Sequence, residues 1–280
     1  MSKTVVSLSS NPASKVEPID PIVRAANVCK GFRQGRDETK ALNSISIEVR
    51  PGEFVSLLGP SGCGKTTLLN LVAGLTQPDS GELFYRGQQI SGANQKVGYL
   101  TQDDALLPWR TVRTNVALPL EIKGRQSRER RERADEIIAR VGLRGFEDHY
   151  PRQLSGGMRK RVSLARTLIY EPETLLLDEP FGALDAQTRI LMQRELLALV
   201  RSLSLTVILV THDLNEAIAL SDRIVLFSRR PASILDVISV MRRAIEDVGK
   251  HLPKDEAVFQ RVWDQLATEI KAAETSESAT

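Results

Sequence analysis

The sequence predicts an α/β domain built on a largely parallel sheet, and three observations carry that expectation. Short runs rich in Val, Ile, Leu and Phe alternate with segments of helical period. Two of those runs, TLLLD (174–178) and TVILV (206–210), are continuous rather than alternating in their apolar residues. From about residue 103 to 170 the rhythm breaks and only helical pattern remains. Strands that alternate with helices bury their faces best as helix layers on a sheet. A strand covered on both sides has no polar face to present, so it reads as an unbroken apolar run. The third observation adds a helical subdomain inserted into the sheet domain.

Taken in order, strands are expected at SISIEV (44–49), EFVSLL (53–58), VGYL (97–100), TLLLD, TVILV and RIVLF (223–227). Helices are expected at 65–74, 127–141, 156–170, 186–202 and 214–220. Within the insert, RQSRERRERADEIIARVGL (125–143) crowds Arg against Glu while Ile137, Ile138 and Val141 fall at helical spacing. That reads as a solvated helix with one buried stripe, not as a nucleic-acid patch. Near the end, DEAVFQRVWDQLATEIKAA places Val258, Val262, Trp263, Leu266 and Ile270 at helical spacing and reads as one packed helix. The expected organisation is a Ser- and Pro-rich tail over 1–20, a main domain over 21–230 and an extension over 231–280 that closes on a polar tail.

Bulk properties exclude some classes. Thirty-eight Lys plus Arg stand against 35 Asp plus Glu, and a net charge of +3 over 280 residues gives no electrostatic case for nucleic acid. No apolar run is long enough for a signal peptide or a membrane span. Cys29 and Cys63 are too few for a disulfide framework, which fits a reducing cytosol.

The chemistry concentrates in three places. First, the strand EFVSLL runs into GPSGCGKTT, in which Gly59, Gly64, Lys65 and Thr66 match the phosphate-loop pattern GxxxxGK[ST]. Glycines let the loop of Gly59, Pro60, Ser61, Gly62, Cys63 and Gly64 wrap closely, so that backbone N–H groups and the N-terminus of the following helix, with Thr67 in its first turn, face phosphate oxygens. Lys65 would reach the β and γ phosphates of ATP and the Thr66 hydroxyl would ligate Mg²⁺. Cys63 reads as a small residue that fits the loop, since no base or second thiol accompanies it.

Second, TLLLD ends in Asp178 and Glu179, at the edge where open α/β sheets hold ligands. Alone, an acidic pair there would read as a helix cap. Beside a phosphate loop, Asp178 becomes a Mg²⁺ ligand and Glu179 the group that polarises the attacking water. Third, TVILV ends in Thr211-His212-Asp213, which brings His212 to the same edge as a candidate γ-phosphate sensor. His149 and His251 read as structural.

These motifs, in this order and with LSGGM (154–158) between them, resemble the ATP-binding subunits of ABC transporters over about residues 22–230. The resemblance implies a P-loop NTPase with a mixed sheet core and an inserted helical subdomain. It makes residues 59–66 the Walker A loop, LLLDEP (175–180) Walker B, and Ala183-Leu184-Asp185 the D-loop. Gln102 becomes the Q-loop glutamine, contacting Mg²⁺ and the γ-phosphate at the hinge into the insert, and His212 the switch histidine. Phe32 becomes the aromatic that stacks on adenine, a reading favoured over an ordinary core Phe between Gly31 and Arg33 because aromatic faces recur where a base must be held. LSGGM matches the signature, with Met158 where the family commonly has Gln.

The resemblance also gives Ser155-Gly156-Gly157 a purpose. Adjacent glycines opening a helix cost it about 1 kcal/mol each relative to alanine. Their N–H groups, with Ser155, would meet the γ-phosphate of an ATP held by a second copy, so a head-to-tail homodimer is implied. Separate membrane permease subunits are implied too, and the segment QDDALLPWRTV, with Leu106, Leu107, Pro108 and Trp109, borders their docking groove. That segment, NVALPLE (115–121) and FGALDAQTR (181–189) look most like the importers of nitrate, sulfonates, taurine and related anions. A peripheral place on the cytoplasmic face of the inner membrane follows, with a solute-binding protein as an indirect partner. The rival readings are an exporter ATPase and a soluble ABC ATPase. A single Walker A and no heptad run between motifs weigh against the second.

Overall fold

The structure, a computed structural model, describes residues 20–34, 37–250, 252 and 255–277. The strands are β1 (Val23–Gln34), β2 (Asp37–Val49), β3 (Phe54–Leu58), β4 (Ser80–Tyr85), β5 (Gln88–Gln89), β6 (Val97–Leu100), β7 (Thr174–Asp178), β8 (Thr206–Thr211), β9 (Arg223–Phe227) and β10 (Ile234–Ser239). The helices are α1 (Lys65–Val72), α2 (Val112–Ile122), α3 (Ser127–Arg140), α4 (Gly156–Leu168), α5 (Ala186–Ser202), α6 (Leu214–Leu220) and α7 (Glu256–Glu277).

A six-stranded sheet in the order β10-β9-β3-β8-β7-β6 forms the centre. It is parallel except for β10, which runs antiparallel to β9. Every residue of β3, β7 and β8 is buried, which is why these strands announce themselves as apolar runs. Because parallel strands start together, their C-terminal ends also finish together: Leu58 pairs with Thr211, Asp178 with Val210, and Leu100 with Leu177. Four loops therefore leave one edge of the sheet side by side.

A second, antiparallel sheet in the order β2-β1-β4-β5 was legible only at SISIEV. Its other strands are half covered or short. β4 buries only Phe84's two neighbours, Leu83 and Tyr85, so it shows no continuous apolar run. β10 likewise alternates exposed with part-buried positions and continues the main sheet past residue 230.

Between residues 103 and 170 the described chain holds α2, α3 and α4 and no strand, as the sequence implies. Helix α3 buries Ala134, Ile137 and Ile138 and spreads its charges outside, where Arg128 pairs with Glu132 at 2.8 Å. Helix α4 stops at Leu168, two residues short of expectation. Helix α7 packs through fully buried Val262 and part-buried Val258, Phe259 and Leu266. Trp263 departs from the expected packed face: it stacks on Phe259 with centroids 6.1 Å apart yet stays 55% exposed, one residue off the buried stripe. The helix also runs on to Glu277, into the segment expected to be an irregular polar tail. The tail expected over 1–20 lies, apart from Asp20, outside the described residues.

Candidate active site

Strand β3 delivers the phosphate loop. At Gly59 a Cβ would lie 2.8 Å from the Phe227 carbonyl oxygen of β9, and at Gly64, with φ of 128°, it would lie 2.8 Å from that of Ala41. Only glycine lets the loop close this tightly on its neighbours. Lys65 is buried, and its ammonium donates to the carbonyl oxygens of Gly59 at 2.8 Å and Pro60 at 2.7 Å. These polar but uncharged acceptors leave its charge without a carboxylate partner. Cys63 is 2% exposed, so its thiol is shut off by the same packing, as a small residue that fits the loop would be. Ser61, Gly62 and Thr66 face outwards.

The Thr66 hydroxyl donates to the Asp178 carboxylate at 3.0 Å, which joins α1 to the end of β7. Burial raises the Asp178 pKa first, and the neighbouring Glu179 charge raises it further, against lowering contributions from Thr66 and Lys65. Two hard oxygen donors converge where positive charge is wanted, and Mg²⁺ fits this pair. Among the described residues no three His, Cys, Asp or Glu side chains cluster as a metal cage. A magnesium ion held by one or two protein oxygens and by substrate phosphates needs no such cage.

Glu179 follows with φ of 43°, left-handed for a residue that has a Cβ. Its N–H donates to the Val210 carbonyl at 3.0 Å and its carboxylate lies 3.3 Å from Nδ1 of His212. The His212 side chain is 57% exposed at that edge. Gln102, two residues past β6, shares this edge by register and exposes its side chain. The sheet thus brings together the loop 59–66, Gln102, Asp178, Glu179 and His212.

Ser155, Gly156 and Gly157 do not belong to that edge; they open α4 in the helical subdomain. Ser155 caps its own helix, its hydroxyl accepting from the Met158 N–H at 3.3 Å, and both Ser155 and Gly156 are exposed. The two glycines differ. A Cβ on Gly157 would come 2.9 Å from Thr188 Cγ2 of α5, whereas one on Gly156 would meet nothing nearer than the end of Arg159 at 3.8 Å. Asp185 caps α5, accepting from the Thr188 N–H at 3.0 Å, and that bond holds its carboxyl below the usual range. Phe32 is 49% exposed beneath the Lys30 ammonium, 5.7 Å from its ring, so it is not a core residue. His149 packs on Phe146 inside the insert, and His251 lies outside the described residues.

Other residues at the site escaped sequence reasoning. Lys160 of α4, 6% exposed, donates to the carbonyl oxygens of Gln102 at 2.5 Å and Thr101 at 3.3 Å and pairs with Asp104 at 3.4 Å. Ser163 and Arg166 take the next carbonyls, those of Asp104 and Ala105. Polar residues three apart on a helix with a buried face were the available signal. Asn115, fully buried, ties down Leu107 in both directions, while Trp109 beside it is 71% exposed.

Residues 42–182 match the family model described as ABC transporter. The aliphatic sulfonates import ATP-binding protein SsuB of Bacillus licheniformis is 41% identical over 246 residues, covering 88% of this chain and 93% of that protein. The nitrate import ATP-binding protein NrtC of Synechococcus elongatus is 49% identical over 195 residues, covering 69% of this chain but 30% of that longer protein. Among solved structures, the dimeric post-hydrolysis state of the ATP-binding cassette MJ0796 with ADP and phosphate superposes with a TM-score of 0.70, at 33% identity, over 79% of this chain and all of that one. The fold and the clustered motifs define an ATP-hydrolysing cassette. The chain belongs to the ABC transporter family and is one of its ATPase components.

Proposed function

We propose that this chain is the ATPase subunit of an importer for a small anion, of the nitrate or sulfonate class, and that it works as a head-to-tail homodimer on separate permease subunits. The observation that carries the reading is the register of β6, β7, β8 and β3, which delivers Gln102, Asp178, Glu179, His212 and the phosphate loop to one edge.

ATP would lay its phosphates along residues 59–67, with Phe32 against adenine. Lys65 would exchange the carbonyls of Gly59 and Pro60 for β and γ phosphate oxygens, a charge-assisted contact in place of neutral ones. Thr66, Asp178 and Gln102 would hold Mg²⁺, which neutralises charge building on the phosphates. Glu179 accepts a proton from water as the water oxygen bonds to the γ-phosphorus and the bond to ADP breaks. His212, 3.3 Å from Glu179, keeps that carboxylate aimed and faces the γ-phosphate. Ser155, Gly156 and Gly157 of the second copy, with Asp185 near the seam, close the site from the opposite side. Loss of the γ-phosphate then releases the dimer.

No helix among the described residues is long and apolar enough to cross a membrane, and this reading assigns the permease to other chains. Exposed Trp109, held out by the Asn115 anchor, supports docking at residues 103–112 on the cytoplasmic face. Purification from membranes tests the reading. Recovery of a permease, and through it a solute-binding protein for an anion, is expected; recovery with ribosomes or nucleic acid and no permease would overturn it.

A further inference from the structure

Beside the turn that carries His212 the structure forms a partly open cleft of about 290 Å³. Its walls include Arg189 and Gln193 of α5, Glu216 of α6, and Arg243, Asp255 and Phe259 of the C-terminal extension. Glu216 is 6% exposed. One of its oxygens accepts the Thr211 hydroxyl at 2.5 Å, and the other finds no protein partner among the described residues. Thr211 Oγ1 in turn accepts the Asp213 N–H at 3.0 Å, and Asp213 accepts the N–H groups of Asn215 and Glu216. The turn Thr211-His212-Asp213 is therefore pinned from beneath by one carboxylate, while the His212 ring above it is exposed and touches Glu179.

We propose that Glu216 is a positioning residue for the switch: by taking the Thr211 hydroxyl it fixes the turn that carries His212, and so sets where the ring meets Glu179. The inference rests on the reading of His212 as the switch, but its geometry does not depend on which cargo the transporter carries.

The charge on Glu216 matters because a hydrogen bond to a carboxylate is about twice as strong as one to a neutral carboxyl. Burial pushes the Glu216 pKa up to about 7; the Thr211 bond lowers it, Asp213 and Glu179 raise it, and Arg189 lowers it. Across the cavity the extension presents Arg243, already paired with Asp255, and Lys250, paired with Asp247 at 3.0 Å. Arg189 is itself shared between Asp213 and the Leu184 carbonyl. Above about pH 7 the carboxylate is charged and grips Thr211; below it the grip slackens. The switch is thus held most firmly on the alkaline side.

The test is the ratio of kcat for wild type to that of Glu216→Gln, measured from pH 6 to 8. The two proteins share every other group, so contributions from elsewhere cancel in the ratio. The ratio should rise by about threefold or more, centred near pH 7, with KM for ATP unchanged. A ratio that is flat with pH overturns the proposal, whatever its value. Glu216→Ala with Thr211→Val gives a second arm: the double variant should be no slower than the single ones if both act through the same bond. A third readout needs no turnover. The His212 imidazole resonance should move in Glu216→Gln while that of His149 does not; an unmoved His212 signal contradicts the proposal. Wild type without ATPase activity would instead count against the proposed function, and the resonance would still decide this inference.

Discussion

The molecule carries two glycine-bearing loops that open helices, and they are built in opposite ways. At residues 59–66 the loop closes on β2 and β9 through Gly59 and Gly64, each forced by a carbonyl oxygen 2.8 Å away, and Lys65 and Thr66 already bond within the chain. At residues 155 and 156 the second loop stands in the open, with Gly157 buried behind them: Gly156 faces no close neighbour, and Ser155 satisfies only its own helix. A loop that is complete within one chain can bind alone. A loop with donors and a glycine facing solvent fits the proposal that a second copy brings the phosphate it meets.

The largest expected effect lies at the buried loop. Lys65→Ala removes the one cation there and should weaken ATP binding at least about 100-fold by equilibrium dialysis, in the monomer and without help from a second copy. Next comes Glu179→Gln, which keeps shape and left-handed backbone but cannot take a proton. Turnover should fall about 100-fold or more while ATP stays bound and an ATP-loaded dimer accumulates. Unchanged turnover would remove Glu179 from the role of base.

The glycine pair then sharpens the contrast within the second loop. Gly157→Ala drives a Cβ into Thr188 and should lower thermal stability by about 1–3 kcal/mol even in the free monomer. Gly156→Ala meets open space and should raise monomer stability by up to about 1 kcal/mol, since alanine favours the helix. If Gly156→Ala nevertheless slows hydrolysis, that glycine serves a partner. If it leaves hydrolysis alone, only Gly157 had a reason to be glycine, and that reason is packing on α5.

What the sequence made legible follows the same division between local and distant. Residues 59–66, Asp178, Glu179 and His212 can be picked out because each motif ends a strand rich in apolar residues, and the side-by-side exits are a consequence of parallel register. The antiparallel sheet of β1, β4 and β5 was not legible, because strands with one wet face and lengths down to two residues leave little pattern. Lys160, Glu216 and Asn115 were missed for another reason. Lys160 meets carbonyls 58 and 59 positions away, and nothing in the sequence around a lysine on a helix announces that. Trp263 sat at helical spacing with the buried residues, and one step around the helix was enough to leave it 55% exposed.

The half-site at Ser155 is tested most directly by sedimentation of Glu179→Gln with Ser155→Arg added, in Mg²⁺ and ATP. Glu179→Gln alone should sediment as an ATP-bound dimer. Adding an arginine at the exposed cap should leave a monomer that still binds ATP through Lys65 and Thr66. An ATP-induced dimer that persists with Ser155→Arg, or a monomer that has lost ATP, would contradict the assignment of residues 155–157 to the partner's phosphate.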